Sequence, residues 1–147
     1  MTPEGPSLTL VKRLRASPDR VWSAWTRPDE MMRWFGPHHT RAERAEVDLR
    51  EGGGFRVVLR EDNGERHEAV GDYTTLEPEH RLVFRWHWAS TPERVSRVTV
   101  VFRVVAEGTE VTLTHDRFAD DATAKRHTRG WTESLERLIA LFETADR

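Results

Sequence analysis

Trp131, Leu135, Leu138 and Phe142 recur at the spacing of one face of a 3.6-residue helix, while Glu133, Glu136, Arg137 and Glu143 fill the opposite side. The pattern predicts a helix of roughly 24 residues over about 121 to 145. Asp120 or Asp121 is placed to cap its start, because an aspartate oxygen accepts from the first free amides and its charge suits the positive helix end. A helix this long with a single apolar face has to be buried against a matching apolar surface, and the rest of the chain must supply one. Gly130 interrupts the pattern at a cost of about 1 kcal/mol relative to alanine, which predicts a close approach there, most simply by a strand beneath the helix.

The chain before the helix reads as that surface. Leu8 to Arg15 alternates as a half-buried first strand, with Leu8, Leu10, Lys12 and Leu14 on one side. Ser17 as N-cap and Pro18 at the first helical position open a short helix whose apolar side is Val21, Trp22 and Trp25. A second short helix is expected from Pro28 to Trp34. Segments 41–49, 54–61, 66–76, 81–89, 95–106 and 109–118 then alternate as six strands. Asp62-Asn63-Gly64-Glu65 carries the Asn-Gly hairpin signal, and Glu77-Pro78-Glu79-His80 and Glu107-Gly108-Thr109 mark further tight turns, so the strands should form an antiparallel meander.

Parity assigns the faces. Phe55, Val57 and Leu59; Leu82, Phe84, Trp86 and Trp88; Val98, Val100, Phe102 and Val104; and Val111, Leu113 and His115 each share one side of their strand. Arg56, Arg60, Arg85, His87, Thr99, Arg103, Thr112 and Thr114 lie opposite. One sheet face is apolar and one wet, and the final helix is the only long amphipathic element available to cover the apolar face.

At 147 residues this is most economically one domain with a core of its own. The absence of cysteine excludes disulfides and thiolate metal sites. No apolar stretch approaches the ~20 residues of a membrane span, and the N-terminus has no signal-peptide pattern, so a soluble, cytoplasmic protein is expected. A net charge of -2 without a basic run argues against nucleic acid as a partner. Six Trp and six Phe against one Tyr leave two readings open, a bulky core or a lined cavity.

Arg15-Ala16-Ser17-Pro18-Asp19-Arg20-Val21-Trp22-Ser23-Ala24-Trp25-Thr26 and Trp34-Phe35-Gly36-Pro37 resemble the opening signature of bacterial proteins related to the C-terminal domain of the Hsp90 ATPase activator. Asp48-Leu49-Arg50-Glu51-Gly52-Gly53-Gly54-Phe55, Glu77-Pro78-Glu79-His80-Arg81-Leu82-Val83-Phe84, Val111-Thr112-Leu113-Thr114-His115 and Gly130-Trp131 follow in that family's order and spacing, so the resemblance spans about residues 8 to 142. It implies an α+β helix-grip fold of the START/Bet v 1 superfamily: a seven-stranded antiparallel curved sheet wrapped around a long C-terminal helix, with two short helices after strand one. Proteins of that superfamily typically enclose a cavity between sheet and helix for lipids, hormones, polyketides or other apolar molecules. Some relatives are cyclases and some sequester antibiotics. The eukaryotic activator has a separate N-terminal domain that contributes to chaperone stimulation; this chain shows no counterpart, which counts against a chaperone partner.

A ligand-binding set follows from the resemblance and the parity together: Phe55, Val57, Phe84, Trp86, Trp88, Val100, Phe102, Leu113 and His115 from the strands, and Trp131, Leu135 and Leu138 from the helix. Met31, Met32, Trp34 and Phe35 form the candidate cavity entrance, a thioether-rich edge that adapts its shape, with a simple hydrophobic lid as the alternative. The expected ligand is a small apolar or aromatic molecule. Self-association into a homodimer through an outer sheet face is left open, as is a cyclase- or hydrolase-like activity.

The histidines at 38, 39, 67, 80, 87, 115 and 127 show no metal-ligand spacing, so neither metal nor cofactor is expected. His115 points inward by parity and needs a hydrogen-bond partner, either a ligand or a neighbouring Thr or Trp. Gly52, Gly53 and Gly54 lack the pattern of a phosphate loop and open a strand, so a bulge or sharp bend is expected, with Asp48 and Arg50 pairing locally. Asp116 and Arg117 end the last strand, but no nucleophile and base come together, and no catalytic residue is assigned.

Overall fold

The structure is a computed structural model that describes residues 2–145. In chain order the elements are β1 (Leu8–Leu14), α1 (Pro18–Thr26), α2 (Pro28–Met31), β2 (Thr40–Val47), β3 (Gly54–Glu61), β4 (Arg66–Glu77), β5 (Arg81–Trp88), β6 (Ser96–Val105), β7 (Gly108–Asp116) and α3 (Asp121–Ala145). The strands form one antiparallel sheet in the order β1-β7-β6-β5-β4-β3-β2. The meander from β2 to β7 therefore closes with β1 on the outer side of β7, and α1 and α2 carry the chain from one sheet edge to the other. The two short helices and the long α3 against a curved sheet are the helix-grip arrangement.

Two bulges help to bend the sheet, between Ala42 and Arg44 in β2 and between Tyr73 and Thr75 in β4, each adding a residue on one strand and strengthening the local twist. The turn from β2 to β3 is the expected sharp bend. Gly52 has φ 85°, and a Cβ on Gly53 would lie 2.2 Å from the Asp48 carbonyl oxygen, while Arg50 Nε donates to Asp48 Oδ2 at 2.9 Å. At the β3–β4 hairpin Asn63 Oδ1 accepts from the Glu65 amide at 2.9 Å.

Leu135 and Leu138 of α3 are buried against the strand face that carries Val57, Leu82, Val98, Val100, Val111 and Leu113. Asp120 is the residue that caps α3: its Oδ1 accepts from both the amide and the hydroxyl of Thr123 at 2.7 Å. Four expectations are corrected. Ser17 occupies the N-cap position of α1, but its hydroxyl donates to the Asp19 carboxylate and caps no amide. The second helix ends at Met31, and Trp34, in the turn beyond it, is fully buried with Nε1 donating to the Ala24 carbonyl at 2.9 Å. Val104 is 70% exposed in spite of its parity, because β6 runs past its last pair with β5, Arg81 with Val101, and has a neighbouring strand only on the β7 side there. At Gly130 a Cβ would meet nothing within 4 Å, so no strand approaches; the glycine faces open space.

Candidate functional site

The space beside Gly130 is a cavity of about 280 Å³ between the sheet and α3. Trp86 and Trp88 come from β5, two residues apart and so on the same face, and Trp131 descends from α3. Phe35, Gly36, Pro37, His39 and Thr40 close one side from the segment that leads into β2; Leu59, His67, Arg126, His127 and Ser134 complete the lining. Phe35 stacks on Trp86 with ring centroids 5.7 Å apart, and Trp86 lies 5.6 Å from Trp131.

The wall formed by residues 36–40 is tied to α3. Gly36 N donates to Ser134 Oγ at 3.1 Å, and Arg137 donates to the carbonyls of Gly36, His38 and Thr40 at 3.2, 2.9 and 2.8 Å. One guanidinium thus donates to three backbone oxygens of this segment and holds it against the helix.

A second, larger cavity of about 850 Å³ lies on the other side of the same aromatic residues. Trp86, Trp88, His67, Arg126 and His127 line both. Within this shared wall Trp88 Nε1 donates to His127 Nε2 at 3.2 Å, a bond from the end of β5 to the second turn of α3. His127 Nδ1 faces the Thr123 carbonyl at 2.9 Å and must carry the ring proton, so both nitrogens of a neutral imidazole are used. Burial holds the His127 pKa below the ordinary value.

His115 sits behind Trp86 and is fully buried. Trp131 Nε1 donates to its Nδ1 at 3.0 Å, and its Nε2 lies 2.6 Å from Ser96 Oγ, which in turn donates to the Trp86 carbonyl at 3.3 Å. Burial, and then the nearby His127, push the His115 pKa well down. Of the two partners that sequence left open, the structure supplies a tryptophan, together with a serine.

The sequence-derived residues separate into two groups. Trp86, Trp88 and Trp131 line the smaller cavity, and Phe35 joins them from the expected entrance. Phe55, Val57, Phe84, Val100, Phe102, Leu113, Leu135 and Leu138 are packed in the core, and neither they nor His115 border the two cavities. Met31 and Trp34 are also closed into the core, while Met32 lines a separate surface depression with Arg33, Arg41 and Arg137. Sequence reasoning missed His127, Gly130 and Ser134 as lining residues, although His127 and Ser134 stand at helical spacing from Trp131, and Gly130 at helical spacing from both of them.

Asp116 and Arg117 are engaged structurally: Arg97 grips Asp116 at 3.0 and 2.6 Å, and Arg117 pairs with Glu4 at 2.7 Å. The β3–β4 hairpin gathers Glu61, Glu65 and His67, whose candidate ligand atoms lie within 4.8 Å of one another, a grouping that linear spacing did not reveal.

Residues 15–143 match the family model described as "Activator of Hsp90 ATPase homolog 1-like protein". The chain belongs to the AHSA1 family. As an AHSA1 chain it carries the ligand-binding fold of the wider START/Bet v 1 superfamily. The AHSA1 protein of Silicibacter pomeroyi is similar in structure with a TM-score of 0.84 at 23% identity, over 95% of this chain and 99% of that one. A protein from Nitrosomonas europaea follows with 0.82 at 22% identity, over 96% of both chains. DynU16, from the dynemicin biosynthetic locus, has a TM-score of 0.79 at 23% identity, over 97% of this chain and 49% of its own. At these identities the likenesses establish the AHSA1 fold. A search of curated proteins finds no match.

Proposed function

We propose that this AHSA1-family protein binds a small aromatic or apolar molecule in the cavity between the sheet and α3. The observation that carries the reading is the cavity of about 280 Å³ walled by Phe35, Trp86, Trp88 and Trp131, with Gly130 leaving open the space a side chain would take. Ligand sites in proteins are concave, mostly apolar, and furnished with a few polar groups that fix orientation. Here the apolar walls are indoles and a phenyl ring, and the polar side chains in the lining include His39, His67 and Arg126. The glycine supports the reading further, because a mid-helix glycine lowers stability without serving any backbone contact at this position.

The three indoles make binding directly readable, since a fused aromatic ring among them changes their emission. Native mass spectrometry of the purified protein tests the proposal without prior choice of ligand. A small-molecule adduct that leaves on mild activation supports it; a bare protein that also fails to take up any of a panel of two- to four-ring aromatics, offered at up to about millimolar concentration, contradicts it.

A further inference from the structure

The two cavities share a wall, but their chemistry differs. The smaller is lined by rings. The larger adds hydroxyls from Ser90, Thr91 and Thr123 and the guanidinium of Arg94, beside that of Arg126, which both cavities share. The other charges on its rim are already matched: Arg66 is held by Glu43, Glu68 by Arg56, and Arg117 by Glu4. Arg94 and Arg126 have no carboxylate within ion-pair distance among the described residues. Two acidic groups are nearby, Glu93 on the rim and Asp120, whose pKa is held down first by its bonds to Thr123 and then by the charges of Arg126 and Arg94. Asp120 caps α3 and its single charge is shared between the two guanidiniums, which both remain without a directly paired carboxylate.

The first turns of α3 also present Thr123, Arg126 and His127 to this cavity, while the helix's positive end is met by Asp120 and Asp121. Trp86, common to both cavities and 4% exposed, keeps an indole N–H without an acceptor.

Building on the cavity reading above, we infer that the two cavities are one bilobed site for an aromatic molecule with an anionic tail. The ring system sits among Phe35, Trp86 and Trp131, the ligand straddles the Trp88–His127 partition, and the carboxylate or sulfonate end meets Arg94 and Arg126. The partition then sets specificity by fixing where the ring must end and the polar tail begin.

Naphthylbutanoic acid and its amide test this, because they share a ring and differ in charge. Titration of tryptophan emission should show the acid binding roughly five- to tenfold more tightly than the amide at low salt, a ratio between that of an exposed ion pair and that of a buried charged hydrogen bond. In an Arg94→Gln variant, with its fold verified by circular dichroism, the acid should lose most of its advantage over the amide while the amide is unchanged, because Arg94 borders the larger cavity and not the smaller. The Arg94 side chain is exposed, so the fold should survive its replacement. Equal binding of acid and amide by the native protein, or an unchanged ratio in the folded variant, overturns the anionic lobe and leaves the cavity reading standing. Failure of both compounds to bind overturns both.

Discussion

Trp131 Nε1 donates a hydrogen bond to His115 Nδ1 at 3.0 Å, and that one bond fixes the tautomer of the only fully buried histidine among the described residues. With Nδ1 as acceptor, the ring proton is on Nε2 and points to Ser96 Oγ, whose own hydrogen goes to the Trp86 carbonyl. The chain of donors and acceptors runs in one direction from α3 into β5. Trp131 is thus a cavity wall on one edge and a structural donor on the other.

Trp131→Phe keeps an aromatic ring but leaves His115 Nδ1 buried without a donor, and it should lower stability by about 1–3 kcal/mol. Trp131→Ala removes the ring as well and should cost roughly 3 to 5 kcal/mol. Urea melts distinguish the two. A loss below about 1 kcal/mol for the alanine variant would mean that Trp131 is not packed as described.

The buried imidazoles make stability depend on pH. His115 and His127 both have folded-state pKa values below the ordinary 6.5, so as pH falls the unfolded chain takes up protons first. Stability is therefore fully present above about pH 6.5 and declines below it, by about 1.4 kcal/mol per pH unit for each imidazole still neutral in the folded state. Melts taken at about pH 7.5 and about pH 5.5 should differ by at least about 1 kcal/mol, with the lower pH weaker. A flat profile over that range would show that these histidines protonate freely in the folded protein.

Arg137 holds the loop that walls the cavity, through carbonyls 97 to 101 residues away in sequence. Arg137→Met keeps most of the apolar stem but removes the donors, and should cost about 1–3 kcal/mol. Amide hydrogen exchange at residues 36–40 should rise in this variant. Unchanged protection there would show that the loop is held by other means.

The course of the chain was legible because its signals are local. Periods of two and 3.6 residues, the Asn63-Gly64 turn and the resemblance at Trp34-Phe35-Gly36-Pro37 placed every strand and both ends of α3 to within a few residues. The cavity was less legible, since parity says only which face a residue takes. It cannot separate Leu138, which is closed into the core, from Trp131, which borders open space, because that depends on how far α3 stands off the sheet along its length. Gly130 shows the same limit: its cost was visible in sequence, but the neighbour it lacks was not. His127 and Arg126 owe their place in the shared wall to tertiary geometry, and Glu61 and His67 to the β3–β4 register.

Gly130→Ala should raise stability by about 0.5–1 kcal/mol, because alanine restores helix propensity and its Cβ meets nothing. A destabilised Gly130→Ala variant would mean that something does approach this side of α3.

Gly130→Leu then gives the most direct measure of whether the cavity is the binding site, because its branched side chain projects into the space the ligand would take. The experiment is a titration of tryptophan emission with an anilinonaphthalene sulfonate dye, for the native protein and for a cooperatively folded Gly130→Leu variant. The native protein should quench saturably with a micromolar constant, about -8 kcal/mol, and the variant should bind at least about tenfold more weakly. Non-saturable quenching by the native protein, or the same constant in the folded variant, would contradict a ligand site between the sheet and α3.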